Sequence, residues 1–254
     1  MRVVFITQDD PFFLAENFDY LLSKKPECFE AVGCVLAGAT PFCKKESFAD
    51  KCRRTCSIFG LGFFFRYSLK YLANKLSASK KLPKVLERHH VPIIELQGSI
   101  NSEESLGKIS AFRPDLLISI AGNQIFKEKL IKLAPKGCLN LHTALLPKYR
   151  GLMPSFWVLK NNEKYTGVSV FFVDEGIDSG PILVQKRVEI GNRTQEQLIR
   201  DTKRLGMDAI IEAVDLIHSG KYELMGNDDA EKTYFSFPTR QDVKEFLRRG
   251  KKFY

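Results

Sequence analysis

Asn140 and His142 stand two residues apart in "CLNLH", a short apolar run that reads as a β-strand over 138–142. Strand side chains alternate in direction, so residues i and i+2 project to the same side. A carboxamide that donates and an imidazole that donates or accepts would then face one point. Leu139 and Leu141 would turn the other way, into packing. Such a pair could stabilise negative charge on a carbonyl oxygen or move a proton. It could equally satisfy the backbone of the loop that follows, "TALLPKYRG" (143–151). Spacing alone leaves both readings open.

A second stretch, "DEGIDSG" (174–180), holds Asp174, Glu175 and Asp178 with two glycines. These are the ordinary residues of a solvated hairpin turn. Alternatively one carboxylate turns inward and pairs with the imidazole, fixing its orientation and favouring its charged form. A metal centre needs three or four convergent ligands. His142 and Asp178 supply two, and Asn is a poor third, so no metal is expected.

The elements that must position these residues alternate between strand and helix. "RVVFIT" (2–7) reads as a buried strand, 9–24 as a helix with Pro11 in its first turn, and 29–38 as a strand. Further strands are expected at 91–96, 115–120, 166–173 and 181–190, and helices at 101–112, 125–134 and 153–161. A long amphipathic helix over 194–220 is capped by Thr194 and ended by Gly220. The tail beyond it is short, basic and aromatic. The pattern predicts an α/β fold: a Rossmann-like, mostly parallel sheet with helices on both faces. The expected units are a catalytic domain over 1–192 and a C-terminal helix with a short basic tail over 193–254.

One segment interrupts the alternation. Residues 39–82 form a basic, aromatic insertion around "IFGLGFFFRYSLKYLANKL". Residues 40–90 hold twelve Lys/Arg against three acids, and the rest of the chain balances 27 against 27. The whole net charge of +9 therefore belongs to this segment. A helix covering a sheet edge, its lysines solvated, is the plainer reading. The sharper one is a basic amphipathic surface making peripheral contact with a membrane or an anionic acceptor. "GLGFFF" has phenylalanine at the third glycine position and no strand before it, so a dinucleotide fingerprint is rejected. No apolar run approaches the roughly 20 residues needed to span a bilayer. No signal peptide is read at the start, and the six cysteines show no CxxC pair, so a cytoplasmic protein with free thiols is expected. Exposed apolar character near 58–72 suits a homodimer.

The ordered run "NLHTALLPKYRG", a tryptophan, then "TGVSVFFVDEGIDSG" resembles the 10-formyltetrahydrofolate-dependent formyltransferases. That superfamily includes glycinamide ribonucleotide transformylase, methionyl-tRNA formyltransferase, the hydrolase domain of formyltetrahydrofolate dehydrogenase and the sugar N-formyltransferases. The resemblance implies a catalytic trio of Asn140, His142 and Asp178. It implies a folate pocket lined by Ala121, Gly122, Asn123, Gln124, Ile125 and Phe126, by Cys138, by Ala144, Leu145, Leu146 and Pro147, and by Asp174, Glu175 and Ile177. The implied donor is 10-formyltetrahydrofolate, and no metal is required. The implied reaction is formyl transfer to a primary amine, with Asn140 and His142 donating to an oxyanion and Asp178 as charge partner or base.

The chain departs from the family at Thr143–Ala144, where relatives often carry a small residue followed by serine. Methionyl-tRNA formyltransferases carry a C-terminal barrel domain, whereas about 60 residues follow position 190 here. An amino sugar, nucleotide-linked or not, is therefore the expected acceptor and tRNA the alternative. Water-dependent deformylation, or a folate-binding or membrane-surface module without transfer activity, are the remaining readings.

Overall fold

A computed structural model of the protein describes residues 1–37, 47–77, 81–122 and 124–254. Its centre is a seven-stranded sheet in the order β3-β2-β1-β4-β5-β7-β8. The strands are β1 (Arg2–Gln8), β2 (Glu30–Ala37), β3 (Ile93–Ile94), β4 (Leu116–Ile120), β5 (Cys138–His142), β7 (Tyr165–Phe172) and β8 (Ile182–Glu189). β1 to β5 pair in parallel, while β7 runs antiparallel to both β5 and β8. The predicted mostly parallel α/β sheet is thus present. The chain winds outward from β1 to β3, then returns to β4 on the other side of β1. Ligands in such sheets bind beyond the strand carboxyl ends near this reversal.

Both faces of the sheet are covered. Val3, Phe5, Leu139 and Leu141 pack with α1 (Leu14–Lys24) and α8 (Gln195–Ser219) in one apolar cluster. Val4, Ile6, Leu117 and Cys138 pack with α5 (Glu103–Ser110) and α6 (Glu128–Ile131) in a second. Alternate residues of β5 therefore enter opposite cores, as its period requires. Gly206 of α8 lets that helix approach β5, since a Cβ there would sit 2.6 Å from Leu141 Cδ2. The expected caps of α8 are formed: Thr194 and Gln197 make a reciprocal capping box, and Gly220 ends the helix in the left-handed region.

Several expected elements are shorter or displaced. Helix α1 begins at Leu14, so Pro11 lies in the preceding turn rather than in the helix. The strand expected over 91–96 is only Ile93–Ile94, and the helix expected over 125–134 has a single regular turn, Glu128–Ile131. In the latter, Asn101 holds the loop instead: its side chain accepts from the Lys127 N–H and donates to the Ile125 carbonyl. The insertion forms α2 (Phe48–Phe59) and α3 (Leu61–Leu76), joined at Gly60. Among the described residues, its buried aromatic side packs on the helices α7 (Pro154–Lys160) and α9 (Arg240–Arg248). Phe59 and Phe63 pack with Phe156 of α7, Phe246 of α9 and Phe253. α4 (Leu82–Arg88) then leads back to the sheet.

The tail carries more order than its composition suggested. Arg150–Gly151 (β6) pairs in parallel with Tyr234–Phe235 (β9), and a 3-10 turn at Asp229–Glu231 precedes β9.

Candidate active site

β5 delivers Asn140 and His142 to one face of the sheet, above Cys138 and opposite Leu139 and Leu141. His142 is buried. Its Nε2 lies 2.7 Å from the Tyr149 carbonyl, which can only accept, so Nε2 carries a proton. Its Nδ1 lies 3.6 Å from Asp178 Oδ2, an ion-pair distance just beyond direct hydrogen bonding. The ring is thus held between a backbone carbonyl and a carboxylate. Asn140 is half-buried, and its carboxamide makes no hydrogen bond among the described residues.

Asp178 reaches the histidine from an extended loop between β7 and β8. Its own φ is +50°, in the left-handed region, which turns the carboxylate inward. Oδ2 accepts from the Gly151 N–H at 2.8 Å. Gly151 has φ +96°, and a Cβ there would meet the Phe235 carbonyl oxygen at 2.3 Å. The last residue of "KYRG" is therefore glycine for two reasons: its dihedral and the strand lying against it.

Arg150 lies on the other side of this loop. Its buried guanidinium donates from Nη1 to Asp229 Oδ1 at 2.7 Å and from Nη2 to Asn227 Oδ1 at 2.9 Å. The Asn227 amide in turn donates to the carbonyls of Asp178 and Gly180, both at 2.9 Å. The segment 225–237 thus straps the Asp178 loop down. Tyr149 is held from three directions. Its N–H donates to Thr233 Oγ1, its ring stacks on Phe235, and its hydroxyl donates to Glu163. Burial, then the Glu163 hydrogen bond, pushes its hydroxyl up to about 12.

The remaining sequence candidates take distinct places. Register aligns Ser119 and Ile120 of β4 with Asn140 and Leu141 of β5, so the loops after both strands are neighbours. Ala121 is left-handed at φ +54°, and the exposed Gly122 follows it. Gln124 accepts from the Ile100 N–H, Ile125 is exposed, and Phe126 is buried in the sheet core. Asn123 lies outside the described residues. Ala144 is buried with its carbonyl on Ser169 Oγ, and Leu146 is fixed by Ser169 and Gln185 ahead of a cis Leu146–Pro147 bond. Leu145 is half-buried between them. Asp174 does not face the histidine: it accepts from Gly176 and Ser179 within its own loop. Glu175 and Ile177 are exposed on the same loop. Cys138 stands at the far end of β5, fully buried, where burial raises its thiol well above the usual range. Among the described residues no group of three or more His, Cys, Asp or Glu could hold a metal ion.

Sequence reasoning missed Asn227, Arg150 and the Tyr149 carbonyl. "KYRG" was a visible signal without a visible partner, because the partner lies some 80 residues away.

A family profile described as formyl transferase matches residues 73–214, more than half of the chain. The chain belongs to the formyl transferase family. Among curated proteins, the methionyl-tRNA formyltransferase of Kosmotoga olearia is 35% identical over 161 residues, covering 63% of this chain and 51% of that protein. The chain spans about half the length of the curated relatives it matches. Among solved structures, glycinamide ribonucleotide transformylase 1 from Symbiobacterium toebii superposes with a TM-score of 0.60 at 17% identity, over 89% of this chain and 94% of that one. The N-formyltransferase from Helicobacter canadensis, in complex with folinic acid and dTDP-3-aminofucose, superposes with a TM-score of 0.58 at 19% identity, over 95% of this chain and 72% of that one. At these identities the superpositions establish the shared fold.

The strap should respond to pH through Asp229, which accepts from Arg150. Hydrogen bonds from Lys232 and then Arg150 hold its carboxyl below the usual range. A depressed folded-state value contributes stability above the unfolded value and loses it as pH falls through the folded one. Trp157, the single tryptophan, donates to the Ser236 carbonyl and stacks on Phe235, so its emission reports strap docking. Acidification of the native protein should shift that emission. In Asp229→Asn the part of the shift due to this carboxylate should be missing; identical titration curves would exclude it.

Proposed function

We infer that this chain transfers a formyl group from 10-formyltetrahydrofolate to a primary amine, and that the amine belongs to an amino sugar, nucleotide-linked or free. The observation that supports the chemistry is the pairing of His142 with Asp178, with Asn140 two residues away on the same side of β5, in a chain of the formyl transferase family. The donor supplies an activated formyl carbon. A new C–N bond forms to the amine, the bond to the folate nitrogen breaks, and one proton passes from the amine to the departing nitrogen.

Asn140 fits the donor because its carboxamide is half-buried yet uncommitted, so it donates to the formyl oxygen as negative charge builds there. His142 orients beside it, anchored through Nε2 on Tyr149, and Nδ1–H is the group available to share that charge. Asp178 balances the imidazolium and takes the amine proton, directly or through one water. Ala121, Gly122, Gln124 and Ile125, the turn at 144–147, and Asp174, Glu175 and Ile177 are the described residues assigned to the folate wall. Exposed Ile125 and Ile177 supply apolar surface for a ring system there.

The amino-sugar acceptor rests on the fold likeness to a sugar N-formyltransferase, which covers 95% of this chain. In sequence, the curated methionyl-tRNA formyltransferases match 55% to 63% of it. That sequence likeness favours tRNA as the second reading. A competition assay separates the two: with 10-formyltetrahydrofolate present, nucleotide-linked amino sugars should gain a formyl group by mass while methionyl-tRNA remains unmodified. Formylation of methionyl-tRNA alone would reverse the assignment. Transfer to neither acceptor would remove both.

A further inference from the structure

Helix α3 leaves one face without a partner. Leu61, Phe65, Leu69, Leu72 and Leu76 follow the i, i+4, i+8, i+11, i+15 spacing of a single helical stripe. Each is 56% to 86% exposed. At 1.5 Å per residue the stripe runs for roughly 22 Å. The opposite face is the packed one. Phe63 joins the α7–α9 core, Tyr67 stacks between Phe12 and Phe63, and Lys70 pairs with Glu196. An apolar stripe of this length is too large to be scattered surface hydrophobicity.

The charge around the stripe selects its occupant. Arg66, whose guanidinium lies over the Tyr254 ring, and Lys75 flank it on α3. Asp50 is the one acid in 47–77. Two copies meeting stripe to stripe would bring these like charges together, whereas an anionic surface complements them. A leucine and phenylalanine face rimmed by lysine and arginine, with no acid on α3 itself, is the composition of a helix lying in a lipid interface. No helix among the described residues is long and apolar enough to cross a membrane, so the contact would be peripheral.

We propose that α3 docks this protein on anionic lipid bilayers, inserting the Leu61–Phe65–Leu69–Leu72–Leu76 stripe while Arg66 and Lys75 meet the headgroups. The proposal is independent of the acceptor assignment above. Flotation with vesicles of phosphatidylcholine alone, and with vesicles containing one phosphatidylglycerol in three lipids, tests it on the full chain. The protein should float with the anionic vesicles and stay in solution with the neutral ones. Leu69→Glu/Leu72→Glu should abolish flotation with circular dichroism and thermal transition unchanged, since both side chains are exposed. Removing Arg66 or Lys75 should weaken partitioning by roughly fivefold each. Equal flotation on neutral vesicles, or flotation of the double glutamate variant, would overturn the proposal. So would a dimer by light scattering that becomes a monomer in that variant, without vesicle binding by the native chain; that result would assign the stripe to a second copy.

Discussion

Replacing Asn140 by alanine is expected to lower kcat for formyl transfer by about a hundred- to a thousandfold, the usual loss when one oxyanion donor is removed. Its carboxamide makes no hydrogen bond among the described residues, so the thermal transition should hardly move. KM for the amine should change little, because the interaction strengthens only as charge develops on the formyl oxygen. His142→Ala should be at least as damaging, and it should also lower the thermal transition. The buried ring bridges the Tyr149 carbonyl and the Asp178 carboxylate, and its removal leaves both without that partner. The double variant should be little worse than His142→Ala alone, since groups acting on one transition state are not additive. Steady-state kinetics paired with calorimetry check the set. An Asn140→Ala enzyme with native kcat would remove Asn140 from the mechanism.

The second large effect is expected at a backbone position, where the Gly151 N–H donates to Asp178. Gly151→Ala forces a Cβ into a backbone at φ +96° and within 2.3 Å of the Phe235 carbonyl oxygen. The dihedral alone costs about 1–2 kcal/mol. The contact adds to it, because a carbonyl in a paired strand cannot swing aside as a side chain would. Relief comes from separating β6 from β9, which takes the Gly151 N–H off Asp178 and uncouples the strap held by Asn227. Activity, melting temperature and Trp157 emission should therefore change together. Gly98→Ala is the control: φ is +85°, and nothing lies within 4 Å of its Cβ. It should show the dihedral cost without the loss of activity. Equal behaviour of the two variants would mean that the strap does not position Asp178.

These two experiments probe parts of the site that differed in how readable they were. Asn140 and His142 could be paired from the chain alone, because a two-residue period and a five-residue apolar run specify which way each side chain points. The caps of α8 were equally local: Thr194, Gln197 and Gly220 sit within a few residues of the ends they close. Asp178 was different. The residues offered three acids in one turn, and only the family resemblance singled it out. In the structure a left-handed φ at 178 turns that side chain inward, while Asp174 Oδ1 accepts from both Gly176 and Ser179 within its own loop.

The strap was not readable. β6 and β9 are two residues each, pair in parallel, and lie 84 positions apart, so neither has a period to detect. Asn227 sits in "MGNDDAEK", which reads as solvated loop until Arg150 is seen against it. The short α6 fails for a related reason. The apolar spacing of 125–134 is helical, but the Asn101 side chain captures the Ile125 and Lys127 backbone groups that a longer helix would use. The basic insertion was legible as amphipathic and helical, but the packing of its buried aromatic side on α7 and α9 was not.

The central claim is that this site moves a formyl group from a folate donor to an amine. It is tested most directly by following an isotopically labelled formyl group from 10-formyltetrahydrofolate in the presence of nucleotide-linked amino sugars. Label is predicted in the new amide of the sugar, at a rate that falls by at least about a hundredfold in His142→Ala. Label released only as free formate, or transfer undiminished in that variant, would contradict it.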